Sequence, residues 1–394
     1  MTARKRRPLY AIATLFFITI LSNCTESFII EEFESPDNVL VIEATITNEN
    51  KFQEIYISKA FKLTEKEAVP ETNATVLIKD ENGLVYTFNE TTSGKYVSSS
   101  KFSAQTGINY NLFITTSSGE MYESNSEKTT ANSQIEDITV QLNTSLDGNN
   151  EFRFYVNSND PTGKSKYYRY TYEETYKIIA PLWTSREAVL INGRVEIQQK
   201  ADLNTRICYK TNTSNTIIQT KTTNLSEDRV QFLVRRIPVD DFAISHRYSL
   251  LVKQHVQSFE AYTYYSILNK FSNASDLLSQ NQPGFFSSNI YSVSNNNEKV
   301  LGFFEVTSVS EKRVFFNYRD FFDLGRPPYA ESCYQVAPED LIELTIYIEN
   351  GTWLYFQDNL SPNEAYPGPY FFVSEGCGDC TVYGSNIKPS FWVD

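Results

Sequence analysis

The sequence predicts a mainly β protein, in which an N-terminal Ig-like (immunoglobulin-like) β-sandwich is followed by a larger β-rich domain with one amphipathic helix. Three observations indicate this fold class. Aromatic residues make up 14% of the 394 residues, and aromatic and β-branched side chains favour strands. Apolar and polar residues alternate over many short stretches, as they do along half-buried strands. Asn, Ser and Gly separate these stretches, as turns require.

Residues 1–23 predict a lipoprotein signal peptide. Residues 4–7 are basic, and the run from Leu9 to Leu21 is 13 residues long and carries no charge. A membrane-spanning helix needs about 20 apolar residues, so the run fits a signal peptide better. The following Leu-Ser-Asn-Cys resembles a bacterial lipobox, with Asn23 where Gly, Ala or Ser is usual. We therefore expect a lipid on Cys24 that anchors the chain to a membrane; the alternative is a secreted protein with a chance cysteine.

Residues 24–37 predict an acidic tether. The stretch resembles the acidic segment that follows the cysteine in surface-exported lipoproteins of Bacteroidetes, which implies a cell-surface location; the alternative is a plain solvated tether. Without the first 23 residues, the chain has 31 basic against 48 acidic residues, a net charge of −17. Because that charge repels a phosphate backbone, we expect no nucleic-acid partner.

Residues 38–132 predict the Ig-like β-sandwich domain. The stretch "NVLVIEATIT" alternates and opens it. The strongest local signal is a hairpin, in which "ATVLIK" and "LVYTF" flank a turn containing Asn82 and Gly83. Asn-Gly accepts the positive φ that such turns need. About seven short strands with regular turn signals favour a sandwich.

Residues 133–394 predict the second, β-rich domain. Its strands include "EFRFYVNSND", "KYYRYTYEETYK" and "RVQFLVRRIP", and a further strand region is predicted at "IELTIYIENGTWLYFQD". One amphipathic helix is predicted near residues 257–281, where Phe259, Tyr262 and Phe271 recur near helical spacing.

The Cys-x-x-Cys formed by Cys377 and Cys380 suits a zinc site, a redox pair or disulfides. A zinc site of four cysteines would need a second such pair, and a redox motif would need a helix start, whereas residues 381–384 predict a strand and a turn. With Cys24 lipidated, the exported chain keeps an even number of cysteines, namely Cys208, Cys333, Cys377 and Cys380. We therefore predict two disulfides, and the sequence leaves all three pairings open.

Three tyrosines form a candidate ligand-binding surface. Tyr168, Tyr170 and Tyr172 share one face of a predicted strand, and tyrosines are enriched at interfaces and stack on sugars. The alternative is ordinary sheet core.

No catalytic residue, cofactor or metal is predicted. The sequence lacks the nucleophile-elbow, phosphate-loop and zinc-protease motifs. His246 and His255 are interpreted as ordinary polar positions. The paired carboxylates at residues 173–174 and 240–241 point to opposite faces if they lie on strands, so neither pair can flank one glycosidic bond.

Several stretches resemble one family. "VLVIEATIT", "YYRYTYEE", "LGFFEVTSVSEKRVFF" and "CGDCTVYGSNIKPSFW", in this order, are similar to the Bacteroidetes lipoproteins known as domain of unknown function 4249. The resemblance runs from about residue 38 to residue 392. It implies an outer-membrane lipoprotein, often encoded beside a TonB-dependent receptor, and it carries over no catalytic residue.

The preferred hypothesis is a non-catalytic binding or accessory subunit, anchored by its lipid in the outer membrane and exposed on the cell surface. Its expected partner is a β-barrel TonB-dependent receptor, and its ligand a small molecule, a peptide or a glycan. One alternative is a structural or assembly lipoprotein of an outer-membrane machine. A glycan-active enzyme is the third, and it would need two carboxylates facing each other across a cleft.

Overall fold

The computed structural model describes residues 39–60, 68–145, 147–272, 288–323 and 327–394. The signal peptide at 1–23, Cys24 and the tether at 24–37 lie outside the described residues. Strands make up 50% of the structure and helices 11%, so the prediction of a mainly β protein is confirmed. Within the described residues, no helix is both long and apolar enough to span a bilayer.

The N-terminal strands are β1 (Leu40–Thr47), β2 (Glu54–Lys59), β3 (Val69–Pro70), β4 (Thr75–Asp80), β5 (Val85–Thr92), β6 (Lys95–Ser98), β7 (Asn109–Thr115), β8 (Met121–Ser124) and β9 (Glu127–Lys128). The remaining strands are β10 (Gln134–Thr144), β11 (Asn150–Asn159), β12 (Tyr167–Ile179), β13 (Arg186–Ile191), β14 (Arg194–Gln199), β15 (Ile207–Thr213), β16 (Ile218–Lys221), β17 (Arg229–Pro238), β18 (Arg247–Gln257), β19 (Ile290–Ser292), β20 (Val300–Asn317), β21 (Gln335–Val336), β22 (Trp353–Asp358) and β23 (Tyr370–Ser374). The helices are α1 (Phe259–Ser272), α2 (Leu341–Asn350) and α3 (Glu375–Gly378), with short 3₁₀ turns at Phe242–Ile244, Tyr318–Asp320 and Cys380–Val382.

Residues 259–272 of the predicted helix near 257–281 form α1, and residues 273–281 lie outside the described part of the chain. The prediction of a single helix is wrong. Residues 341–350, predicted as strand, form α2, and only β22 is strand in that stretch. Local capping explains the difference. The carboxylate of Asp340 accepts a hydrogen bond from the N–H of Ile342, and Gly351 ends the helix in the left-handed conformation. These caps outweigh the strand preference of the isoleucines.

The strand predicted within residues 381–384 is also wrong, whereas the predicted turn is present at Tyr383. Cys377 lies on α3, and residues 380–382 form a 3₁₀ turn that Asp379 caps by accepting from the N–H of Thr381. Short polar side chains favour such caps over strands.

Strand β20 joins two parts of the largest sheet. Its first half runs parallel to β1, with Gly302 opposite Ile42. Its second half is antiparallel to β18, with Phe316 opposite Tyr248. The order from one end is β15, β12, β18, β20, β1, β2, β6, β5, β4, β7, β8, β19. One continuous sheet therefore runs through both predicted domains, and the boundary between residues 132 and 133 stays a prediction.

The N-terminal core includes residues from far along the chain. Ile42, Ile55 and Tyr110 are buried there together with Ile290 and Phe304. The side chain of Asn289 both donates to the carbonyl of Phe304 and accepts from its N–H. Asn289 therefore substitutes for a strand partner and ties the β19 end of the sheet to β20.

A second core lies between the other half of the sheet and a separate sheet of order β10, β11, β17. Phe152 and Phe154 of β11 pack on Phe316 of β20 and on Tyr248 of β18, with ring centroids about 5 to 6 Å apart. This core supports the surface on which the candidate site lies.

Candidate functional site

Two of the three candidate tyrosines lie in the second core. Tyr168 and Tyr170 are fully buried. The Tyr168 hydroxyl is 2.9 Å from a carboxylate oxygen of Asp228, and the Tyr170 hydroxyl donates to Gln254. Because these side chains do not reach solvent, their burial supports the interpretation as sheet core.

Tyr172, the third tyrosine, lines an open groove of about 630 Å³. The other lining residues come from the turn and strand at 216–219, from residues 232–236 of β17, and from one side of α1. Pockets of this size are typical of ligand sites. Of the predicted ligand-binding residues, only Tyr172 therefore lies at a concave surface.

The groove exists because β12 changes partner beside Tyr172. Residues 167–170 pair with β16, and residues 173–179 pair with β15. In the interruption, the Tyr172 N–H donates to the Ser214 hydroxyl and the Ser214 N–H donates to the Tyr172 carbonyl. The backbone is thus satisfied without a neighbouring strand, which leaves the Tyr172 ring beside an opening in the sheet.

The opposite wall is β17, which carries a β-bulge. Its register with β11 shifts so that Val234 is the extra residue between Leu233 and Arg235. Bulges bend a strand and re-aim its side chains. Here the bulge lies in the part of β17 that lines the groove.

The charged groups in this wall are only partly neutralised. Arg235 forms two hydrogen bonds to Glu174, at 2.9 and 3.2 Å, and lies 5.5 Å over the Tyr172 ring. Burial lowers the pKa of Arg235, but the ion pair outweighs burial and raises it. Tyr248 donates to the same carboxylate. Arg236 is 58% exposed, and its nearest carboxylate, Glu151 at 3.9 Å, already accepts from another arginine.

Both predicted disulfides are present, which confirms that part of the prediction. Cys208 pairs with Cys380, and Cys333 pairs with Cys377. A second pocket, of about 340 Å³, is lined by residues of β13, of the segment 200–205, of α2 and β22, and by Phe372 and Asp379. Lys200 lines this pocket, and burial lowers its pKa although Asp379 and Glu187 oppose the shift.

Among the described residues, neither histidine belongs to a cluster of possible metal ligands. Burial lowers the pKa of His246 to about 4 and that of His255 well below its usual value. In the part of the chain that the structure describes, no three His, Cys, Asp or Glu residues are placed to hold a metal ion.

The adjacent carboxylates of Glu173 and Glu174 have different partners. Glu173 bonds to Arg313 of β20, while Glu174 bonds to Arg235 of β17. This agrees with the expectation that neighbouring strand residues point to opposite faces.

Most of the groove is not predicted by the sequence. The sequence pattern predicts Phe232, Arg235 and Arg236 only as strand residues, and Tyr262 only as a helix residue. One feature of the sequence does point to the groove. Two successive arginines inside an apolar strand are unusual in a sheet core, so they indicate that this part of β17 lies at a surface.

No curated protein matches the chain. The family described as domain of unknown function DUF4249 matches residues 25–313, so the cysteines at 333, 377 and 380 lie beyond the matched part. Since the match spans more than half of the sequence, the chain belongs to the DUF4249 family.

Proposed function

We propose that this protein is a lipid-anchored, non-catalytic binding subunit of the outer membrane, which acts with a TonB-dependent receptor to capture or admit the receptor's ligand. The observation that carries the binding role is the groove beside Tyr172. It brings aromatic rings and polar and charged side chains together at one concave surface, which supports the binding of a ligand there.

The leader sequence supports the membrane location. A basic start, a short apolar run and Cys24 directly after it are the features of a lipoprotein signal, and the acidic residues that follow support exposure at the cell surface. The receptor partnership rests on the resemblance noted from the sequence. The four cysteines support an oxidising compartment, because all of them pair in the structure.

Anchoring is tested by Cys24→Ser. We expect the wild-type protein to stay with the membrane fraction and to enter the detergent phase on Triton X-114 separation. The variant should lose both properties, because it has no acyl chains to partition. A Cys333→Ser/Cys377→Ser variant controls for loss of cysteines elsewhere. Retention of Cys24→Ser in the detergent phase would contradict lipid anchoring.

The partnership is tested by purifying a C-terminally tagged protein from solubilised outer membranes, with an unrelated tagged lipoprotein as control. We expect a TonB-dependent receptor to be enriched only with the former. Recovery without any receptor would overturn the proposal. Depletion that disturbs many outer-membrane proteins, instead of one uptake process, would favour the assembly role.

A further inference from the structure

We infer that the groove beside Tyr172 takes an extended polypeptide segment, which adds as a strand to the open edge of β17. The inference rests on the proposed binding function, because it names the class of ligand for the same groove. It requires no particular receptor.

Two strand edges border the groove. Within the described ranges, β17 pairs only with β11, and β16 pairs only with β12. Each strand therefore has one side whose backbone N–H and C=O groups meet no neighbouring strand. Such edges are templates for another chain, and proteins that bind peptides by strand addition use them.

The lining pattern shows that the edges face the opening. A strand that presents a face contributes every second residue to a pocket. Here residues 232–236 of β17 all line the groove, without alternation, and on the other wall the neighbouring residues Ile218 and Gln219 of β16 line it together with the turn residues 216 and 217. Consecutive lining residues are expected where a strand presents its edge. The bulge at Val234 can disturb the alternation on β17, but it does not explain the consecutive lining residues on the β16 wall. Of the two edges, β17 is the longer, with ten residues against four.

The groove also offers contacts for side chains. Tyr172 and Tyr262 contribute aromatic rings, and Phe232 stacks on Tyr170 with centroids 5.6 Å apart, which fixes its ring in place. Every second side chain of an added strand would face these rings. The rings therefore favour apolar or β-branched residues at those positions of the peptide.

The charge of the groove wall narrows the class of peptide further. Arg235 is held by Glu174, whereas Arg236 is 58% exposed. Among the described residues, the carboxylate that pairs with Arg236 is that of Glu151, at 3.9 Å, and it accepts a closer hydrogen bond, at 2.6 Å, from Arg153. In a strongly acidic protein, this wall offers an unneutralised positive charge. We therefore assign to the groove an extended peptide with an acidic residue among apolar ones.

The test is a selection from random peptides as long as β17, ten residues, on the purified lipid-free chain. Affinities of the enriched peptides are then measured for the wild type, Arg236→Glu and Arg229→Glu. Arg229 is a matched control, because it lies on the same strand, is 59% exposed and does not line the groove. The same peptides are also measured after N-methylation of alternate residues, which removes backbone donors.

We expect enrichment of sequences with Asp or Glu between apolar residues. Arg236→Glu should weaken binding by at least about tenfold and Arg229→Glu by less than about twofold, because only the former reverses a charge at the groove. One of the two N-methylated registers should lose binding by a similar factor, since strand addition needs the peptide N–H groups.

Lack of enrichment, equal affinity for both variants, or full binding of both N-methylated registers would overturn the inference. Binding of an oligosaccharide series with the same dependence on Arg236, in place of peptides, would also overturn it. None of these results bears on recovery of the receptor in the purification above, so the two proposals fail separately.

Discussion

Arg169 and Glu305 form an ion pair in the interior, at the place where α1 covers the large sheet. Their side chains are 13% and 2% exposed, and the two nearest charged atoms are 2.6 Å apart. Gln257 donates to the other carboxylate oxygen, and the Tyr265 ring lies 4.8 Å from the guanidinium. Burial lowers the pKa of Arg169, but Glu305 outweighs this effect and raises it. Arg169 therefore stays charged, and each of the two side chains depends on the other for its partner.

We expect Arg169→Met to lower the free energy of unfolding by about 3–5 kcal/mol, because it leaves a buried carboxylate without its partner. The double variant Arg169→Met/Glu305→Gln should be more stable than Arg169→Met, since it removes the unpaired charge and keeps an acceptor for Gln257. Urea denaturation measures both. Arg229→Met, at an exposed ion pair, is the control and should change stability by less than about 1 kcal/mol. A double variant less stable than Arg169→Met would contradict this account.

Glu127 gives a pH-dependent stability. Burial raises its pKa to about 7, although Asn289 donates a hydrogen bond that lowers it. The folded state thus holds a proton that the unfolded state releases near pH 4.5. The stability associated with the protonated form is present below pH 4.5 and is lost as pH rises through about 7.

In thermal denaturation, Glu127→Gln should therefore gain stability relative to the wild type as pH rises across this window. Gln keeps an acceptor for Asn289 and has no charge to bury. The exposed Glu120→Gln serves as control and should follow the wild type. His246 acts in the opposite direction, since stability linked to its lowered pKa is lost as pH falls from 6.5 toward about 4. His246 is present in all three proteins, so the difference in stability between Glu127→Gln and the wild type reports on Glu127 alone. A difference between Glu127→Gln and the wild type that does not vary with pH would contradict the prediction.

At this scale, sequence periodicity correctly placed Tyr168, Tyr170 and Tyr172 on one face. It could not tell which face is covered, because the covering sheet comes from other parts of the chain. The same limit applies to Arg169, whose partner is 136 residues away.

Among the elements, β20 depends on a glycine where it meets β1. Gly302 has φ +133°, and a Cβ there would lie 2.0 Å from the carbonyl oxygen of Ile42. That oxygen belongs to the backbone of the facing strand and cannot move without disturbing the parallel pairing.

Gly302→Ala should therefore separate β1 from β20 and strongly destabilise the protein. Gly119→Ala is the matched control, because its φ is +89° with nothing within 4 Å of the added carbon. Gly119→Ala should lower the free energy of unfolding by only about 1–2 kcal/mol, which is the cost of the backbone strain alone. Denaturation midpoints and soluble yield would measure the difference. Equal losses in the two variants would show that the close approach at Ile42 is unimportant.

The helix α2 shows why element type is hard to predict from pattern alone. Its sequence alternates isoleucine with polar residues, which favours a strand, yet Leu344, Tyr347 and Ile348 pack together on one helical side. The capping residues Asp340 and Gly351 were visible in the sequence and would have indicated the helix.

At the scale of the whole molecule, the two disulfides close loops of very different length. Cys208–Cys380 spans 172 residues and Cys333–Cys377 spans 44. In the chain-entropy description, these correspond to about 5 and about 4 kcal/mol of stabilisation. The longer loop also ties the C-terminal segment to the second core, in which Cys208 and Cys380 are both buried.

Cys208→Ala/Cys380→Ala should therefore be less stable than Cys333→Ala/Cys377→Ala by about 1 kcal/mol, with both less stable than the wild type. Guanidinium denaturation under non-oxidising conditions compares the three, and the wild type with added reductant should be less stable than either. The opposite order of the two variants would show that local packing, and not loop length, decides.

The sequence predicted the β class and two disulfides, because composition and cysteine count do not depend on topology. It could not predict the pairing of β1 with β20, since residues 40 and 300 lie far apart and both read as ordinary strands. The groove depends on the same kind of long-range arrangement, with walls at residues 216–219 and 232–236 and α1 beside them.

The shared strand β20 has a consequence for biosynthesis. If the chain is exported from its N-terminus, as proposed, β1 reaches the far side of the membrane long before its parallel partner at residues 300–307. During that interval, Ile42 and Ile46 lack the strand that completes their core. Pairing over such sequence distances makes folding slow and leaves apolar edges exposed. If export proceeds in this order, the N-terminal half exposes apolar core residues until residues 300–307 arrive, and it is most prone to aggregation in that interval.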